Sequence, residues 1–166
     1  MTHDHDGTVP IVGHGDAALA KLLEQGLDAF NFAATGTTPE DQGELSVKVV
    51  DEHGGLIGGL TGWTWSGLFG IDMLWVREES RQDGWGSRIL RAAEDEARRR
   101  GCDRATVSSF TFQAPDFYRR HGYVETGRVL GIPGGAEDVH FHKSLAQDPP
   151  GATPQGRPRP DPPGTP

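Results

Sequence analysis

Gly84 and Gly86 are separated by one residue and follow Arg81 closely in the run Leu74-Trp75-Val76-Arg77-Glu78-Glu79-Ser80-Arg81-Gln82-Asp83-Gly84-Trp85-Gly86-Ser87. The run begins as an apolar strand and ends by opening a helix. The first N–H groups of a helix lack intrahelical partners and lie at the positive end of its dipole. Glycine lets a phosphate approach that backbone with no Cβ in the way. With Arg81 as a counter-charge, these residue types suit the cradling of a pyrophosphate. The spacing supports neither a Gly-x-x-x-x-Gly-Lys-Ser/Thr loop nor a Gly-x-Gly-x-x-Gly dinucleotide turn. Taken alone, a Gly-x-Gly pair fits an ordinary turn before a helix equally well.

The elements that must position this loop are legible on either side of it. Residues 9–12 read as a short first strand, and Asp16 as the cap of a helix carrying Leu19, Leu22, Leu23 and Leu27. Residues 45–50, 56–65 and 68–76 read as an antiparallel meander, turned at His53-Gly54-Gly55 and at Ser66-Gly67. The glycines within 56–65 weaken a strand unless another backbone or a ligand must come close. Residues 87–100 carry an apolar stripe of Ile89, Leu90, Ala93 and Ala97, with Glu94/Arg98, Asp95/Arg99 and Glu96/Arg100 as i,i+4 pairs. Gly101 suits the end of that helix. A strand at 105–110, a short helix from Pro115 to Gly122, and strands at 123–130 and 139–145 complete the pattern.

Composition narrows the function classes. Among 166 residues, 24 Asp and Glu face 16 Lys and Arg, a net charge of −8. Such a surface repels phosphate backbones, which argues against nucleic acid, and favours cationic substrates such as amines. The single Cys102 excludes an internal disulfide framework and a multi-cysteine zinc site. His3 and His5 alternate with Asp4 and Asp6, but a flexible end without further ligands makes a poor metal site, so no metal is expected. The polar start and the lack of a long apolar run point to no signal peptide, no membrane partner and a cytoplasmic location. Residues 147–166 hold 8 of the 12 prolines. The expected organisation is a disordered N-terminus at 1–8, one domain at 9–146 and a disordered Pro-rich tail at 147–166.

A second motif follows the helix: Phe112-Gln113-Ala114-Pro115-Asp116-Phe117-Tyr118-Arg119-Arg120-His121-Gly122-Tyr123. Together with Leu74-Trp75-Val76, Arg81-x-x-Gly84-x-Gly86 and Gly101-Cys102, it resembles the GNAT superfamily of acyl-CoA N-acyltransferases, in particular small bacterial acetyltransferases. The resemblance runs from about Val9 to Leu145 and is densest between Leu74 and Tyr123. It implies an α/β (α+β) fold with a mixed, mostly antiparallel central sheet, splayed between its fourth and fifth strands and flanked by helices. It further implies an acetyl-CoA-dependent N-acetyltransferase that acts on a primary amine of a small molecule by direct attack in a ternary complex. Homodimers are frequent in similar proteins, and a homodimer is carried over on that ground alone.

The resemblance assigns roles residue by residue. A β-bulge in strand 68–76 opens a slot in which the pantetheine arm pairs with backbone near Leu74, Trp75 and Val76, as if adding a strand. Arg81, Gln82, Asp83, Gly84, Trp85, Gly86 and Ser87 hold the pyrophosphate, with Gln113 and Phe117 also on the cosubstrate. Tyr118 is the general acid that protonates the departing thiolate. Its alternative is a core tyrosine satisfied by hydrogen bonding. Asp72, a carboxylate on an otherwise apolar strand, is the candidate base for the amine, directly or through a water. Strand alternation puts it on the face of Leu74 and Val76. Glu125 and His140 are weaker alternatives. Phe30, Asn31, Trp63 and Trp65 fall where the family builds its acceptor pocket, and aromatic faces hold ammonium groups well.

Three departures from the family pattern bear on this. Gln82-Asp83 replaces the usual Gly-Gln and sets a carboxylate beside the cradle. Thr106 to Ser109 is more polar than the usual strand. The loop Gly131-Ile132-Pro133-Gly134-Gly135-Ala136 lacks the Asp and His of the closest group. Two other readings stand beside the small-molecule enzyme: a non-catalytic acyl-CoA-binding module, and an acetyltransferase of a protein amine.

Overall fold

The computed structural model describes residues 10–146. The regions expected to be disordered, 1–8 and 147–166, lie outside the described residues. The chain divides after Gln42 into two units.

The first unit contains helix α1, Ala17–Thr35. Asp16 caps it as its residue type demands, with Oδ1 accepting from Leu19 N at 3.0 Å. Gly36, in the left-handed conformation at φ 69°, ends it and donates its N–H to Phe32 O. Phe30 and Asn31 lie in the last turns of α1. The strand expected at 9–12 does not form over Pro10, Ile11 and Val12, and Val9 lies outside the described residues. Pro10 has no N–H to give to a ladder, and three remaining residues are too few to compensate.

The second unit is built on a six-stranded sheet in the order β1-β2-β3-β4-β6-β5. Its strands are β1 Gln42–Val50, β2 Leu56–Trp65, β3 Leu68–Val76, β4 Arg104–Phe110, β5 Val124–Ile132 and β6 Ala136–Ser144. Helix α2, Trp85–Arg99, joins β3 to β4, and helix α3, Pro115–Arg120, joins β4 to β5. The pairs β2–β3, β4–β6 and β5–β6 are antiparallel. The β3–β4 pair runs parallel, as a helical crossover requires. The core lies between one sheet face and α2, where Phe69, Phe141, Leu60, Leu90 and Ile89 are almost wholly buried.

Alternation along β3 breaks at one point. Thr61 pairs with Met73 and Gly62 with Ile71, so Asp72 is an extra residue without a partner on β2. The bulge changes the parity of the strand. Phe69, Ile71 and Val76 are buried on the core side, whereas Asp72, Met73 and Trp75 are exposed. Simple alternation from Leu74 therefore does not fix the direction of Asp72. The glycines of the meander are explained by close approach. A Cβ on Gly70 would sit 2.2 Å from Trp63 Cε2, so the indole of Trp63 lies directly over that residue.

No helix among the described residues is long and apolar enough to cross a membrane.

Candidate active site

Strands β3 and β4 pair over only three positions, Leu68 with Arg104, Phe69 with Ala105 and Gly70 with Thr106. Beyond Gly70 the two strands part, directly before the Asp72 bulge. The β4-facing edge of β3 thus keeps backbone groups with no ladder partner, a ready place for an extended ligand. The opening is a cleft of about 820 Å³, walled by the Asp72–Val76 stretch, by Val107, Ser108 and Ser109 of β4, and by residues of α2 and α3. The splay lies between the third and fourth strands, one earlier in the count than expected, because the strand at 9–12 is missing.

The cradle closes one end of this cleft. A 3-10 turn, Glu78–Asp83, leads to Gly84 at φ 75° and ψ 14°, and α2 starts at Trp85, two residues before the expected position. No side chain caps α2, and its helical ladder opens with Arg88 N donating to Gly84 O at 3.2 Å. The N–H groups of Trp85, Gly86 and Ser87 precede that bond and have no intrahelical acceptor. Gly84, Gly86, Ser87 and Arg81 all line the cleft. Arg81 spends its Nε on Val76 O at 3.1 Å, which ties the guanidinium to the end of β3. Gly86 is needed for space, since a Cβ there would stand 3.2 Å from the Phe117 ring. Gln82 and Asp83 are exposed and do not line the cleft, and Trp85, half-buried, supports the guanidinium of Arg88 at 4.8 Å from its ring centre.

Tyr118 projects from α3 into the other side of the cleft and is 6 % exposed. Its ring meets Phe117 edge-on at 5.2 Å and Tyr123 at 5.5 Å. Among the described residues the Tyr118 hydroxyl makes no hydrogen bond, unlike a core tyrosine with a satisfied phenol. Burial pushes its pKa up to about 12, so the phenol holds its proton at neutral pH. Tyr123 is the satisfied one: its hydroxyl donates to Glu94 Oε1 at 3.0 Å.

The remaining expected residues fall unevenly. Asp72, Leu74, Trp75 and Val76 line the cleft, as do Gln113 and Phe117. Gln113 is partly engaged, because its Oε1 accepts from Phe110 N at 3.1 Å and closes the turn after β4. Trp63 and Trp65 lie on β2 and do not line the cleft, whereas Phe30 and Asn31 belong to the other unit. Glu125 is a poor base, since hydrogen bonds from Arg128 and Arg119 hold its carboxyl down to about 2. His140 stands on β6 with Nε2 3.3 Å from Asp138 Oδ2. The polar residues of β4 have local tasks: Thr106 donates to Phe141 O and Ser109 Oγ accepts from Ala114 N.

Sequence reasoning missed two features of this region. Glu94 reads from the sequence as an i,i+4 partner of Arg98, yet it is 3 % exposed and accepts chiefly from Lys143 Nζ, at 2.7 and 2.8 Å. The spacing Ile89, Leu90, Ala93, Ala97 already placed position 94 at the border of the apolar stripe. The other feature is His121, bound through both ring nitrogens inside the cleft.

A family model for the acetyltransferase (GNAT) domain matches residues 43–125, half of the chain and all of the cradle and Tyr118 segments. The chain belongs to the GNAT acetyltransferase family. This GNAT chain is 31 % identical over 128 residues to acetyltransferase Atu2258 of Agrobacterium fabrum, covering 77 % of this chain and 92 % of that one. It is 41 % identical over 98 residues to blasticidin-S acetyltransferase of Streptomyces morookaense, covering 57 % and 70 %. A crystal structure of an acetyltransferase from Bacillus cereus superposes with a TM-score of 0.69 at 34 % identity, over 81 % of this chain and 97 % of that one. The GNAT chain is therefore an enzyme, an acyltransferase, with the mixed α/β fold that its motifs imply.

Proposed function

We propose that this enzyme transfers the acetyl group of acetyl-CoA to a primary amine of a small molecule by direct attack in a ternary complex. The observation that carries the reading is the continuity of the cleft. The unpaired edge of β3 leads from the free N–H groups of α2 to a protonated tyrosine, a path suited to a pantetheine arm with a diphosphate at one end and a thioester at the other. The relative named blasticidin-S acetyltransferase supports a small-molecule acceptor.

The first turn of α2 and Arg81 bind and orient the diphosphate. The free edge of β3 pairs with the extended arm, and a backbone N–H there polarises the thioester carbonyl as its carbon turns tetrahedral. Asp72, on the bulge and open to solvent, takes the ammonium proton directly or through a water, so that the amine nitrogen carries a free pair. The C–N bond forms, the C–S bond breaks, and Tyr118 gives its proton to the departing sulfur. As the adduct collapses to the amide its nitrogen sheds a second proton, which returns through water to the Tyr118 phenolate, while the first leaves Asp72 for solvent, so one proton is released per turnover.

Calorimetric titration of the native enzyme and Gly84→Glu with acetyl-CoA tests the cradle. Binding by the native enzyme alone is expected, since the new carboxylate would stand at the anion site in a backbone conformation that L residues resist. A panel of amines scored by free thiol release then identifies the acceptor. Absence of binding by the native protein overturns the proposal.

A further inference from the structure

His121 has no task in the chemistry above, yet it ties together the two helices that form the cleft. Its Nδ1 lies 2.8 Å from Phe117 O, and its Nε2 lies 2.9 Å from Ser87 Oγ in the first turn of α2. Its ring also leans on Phe117 at 4.4 Å between centres. A carbonyl oxygen can only accept, so Nδ1 carries a hydrogen. In the neutral ring Nε2 is then a bare acceptor, and the Ser87 hydroxyl must donate to it. That polarity spends the hydroxyl hydrogen on the imidazole and leaves only oxygen lone pairs for the cradle. The imidazolium reverses it: Nε2–H donates to Oγ, and the Ser87 hydrogen is free to donate to an anion.

We propose that His121 takes up a proton from solvent when the diphosphate of the cosubstrate enters the cradle, and that this turns the Ser87 hydroxyl toward the anion. The proposal rests on the acetyl-CoA reading of the cleft. The charged groups around this corner come from each element packed there. Arg120 of α3 and Arg81 of the 3-10 turn line the cleft, and Arg88 and Arg91 lie on the first turns of α2, Arg91 Nε donating to Ser87 O at 3.1 Å. Lys143 of β6, whose Cε would stand 3.8 Å from a Cβ on Gly122, is bound by Glu94. The acidic residue of α3, Asp116, is already paired with Arg119. Of the carboxylates on the 3-10 turn, Glu79 is paired with Arg77, and Glu78 and Asp83 are exposed and do not line the cleft, so a bound diphosphate brings into the cleft the negative charge that an imidazolium needs.

Calorimetry of the full chain with acetyl-CoA, at one near-neutral pH in two buffers of unlike ionisation enthalpy, counts the protons exchanged on binding. Native enzyme is compared with His121→Asn, whose amide can still donate to Phe117 O but does not titrate, and with His121→Gln as a second variant. Protonation of the cosubstrate itself is common to all and cancels in the difference. The expected result is a proton uptake by the native enzyme that both variants lack, with Kd weakened about tenfold by the loss of a charge-assisted donor. Binding with the same proton count in native and variant proteins overturns the proposal and leaves the acetyl-CoA reading standing. No binding by the native enzyme overturns both.

Discussion

At the scale of single residues, the proton roles proposed for Tyr118 and Asp72 rest on their unlike surroundings. Tyr118 is buried among aromatic rings, and its hydroxyl has no acceptor among the described residues, which suits it to a group entering the cleft. Tyr118→Phe should lower kcat about 100-fold while leaving KM for acetyl-CoA nearly unchanged, measured by steady-state thiol release. Equal activity would remove Tyr118 from the mechanism. The phenol also makes a stability prediction. Its folded value, up to about 12, lies above the ordinary tyrosine value of about 10, so the folded state binds the proton more tightly. That contribution is complete below pH about 10 and lost as pH rises toward about 12. Urea midpoints should therefore fall across this window, and less steeply in Tyr118→Phe. Asp72, exposed on its bulge, is the opposite case, and Asp72→Asn should lower kcat with little effect on melting temperature.

At the scale of elements, the helices are held to the sheet by more than apolar contact. Glu94 of α2 accepts from Lys143 of β6 and from Tyr123 after α3, so one buried carboxylate joins three elements. Arg98 adds a weaker contact at 3.6 Å. Removing one partner of such a pair leaves the other charge uncompensated, and Lys143→Met should destabilise the fold by about 3 kcal/mol in chemical denaturation. Glu94→Gln with Lys143→Met should cost less than the sum of the single changes, because the stranded charge is gone. The α2–α3 contact is tight as well. At Gly86 an alanine methyl would stand 3.2 Å from Phe117, so Gly86→Ala should push the ring aside and raise KM for acetyl-CoA more than it lowers kcat.

For the whole molecule, charge and chain length set the expectations. A net charge of −8 attracts a cationic acceptor at long range, and salt screens that attraction. KM for a cationic amine should rise between low and physiological ionic strength, more than KM for a neutral analogue. The described core closes at Leu145, 2 % exposed, where both Leu145 N and Ala146 N donate to Asp103 O. Ending the chain after Ala146 should leave melting temperature and activity within error, and a large loss would show that the following residues contribute to the core or the site.

Much of this protein was legible before any coordinates. Period-two alternation marked β1, turn residues bounded β2 and β3, and the stripe of Ile89, Leu90, Ala93 and Ala97 marked α2, because these are local records of chain direction and of which face meets the core. Gly84, Gly86 and the Phe-Gln-Ala to Gly-Tyr run marked the turn before α2 and the segment of α3, since those residue types answer to local backbone demands. Three things depended on tertiary contact. The Asp72 bulge exists only in the pairing of β3 with β2, so alternation along one strand does not fix the direction of that side chain. Glu94 reads as an i,i+4 partner of Arg98 until Lys143, forty-nine positions away, arrives to neutralise it. The Ser87–His121 bridge likewise spans thirty-four positions. The sequence by itself determined the elements and the family, because these rest on neighbours within a few residues. Only the tertiary structure decided which polar groups are spent on one another and which remain free in the cleft, because hydrogen-bond partners are assigned by distance in space.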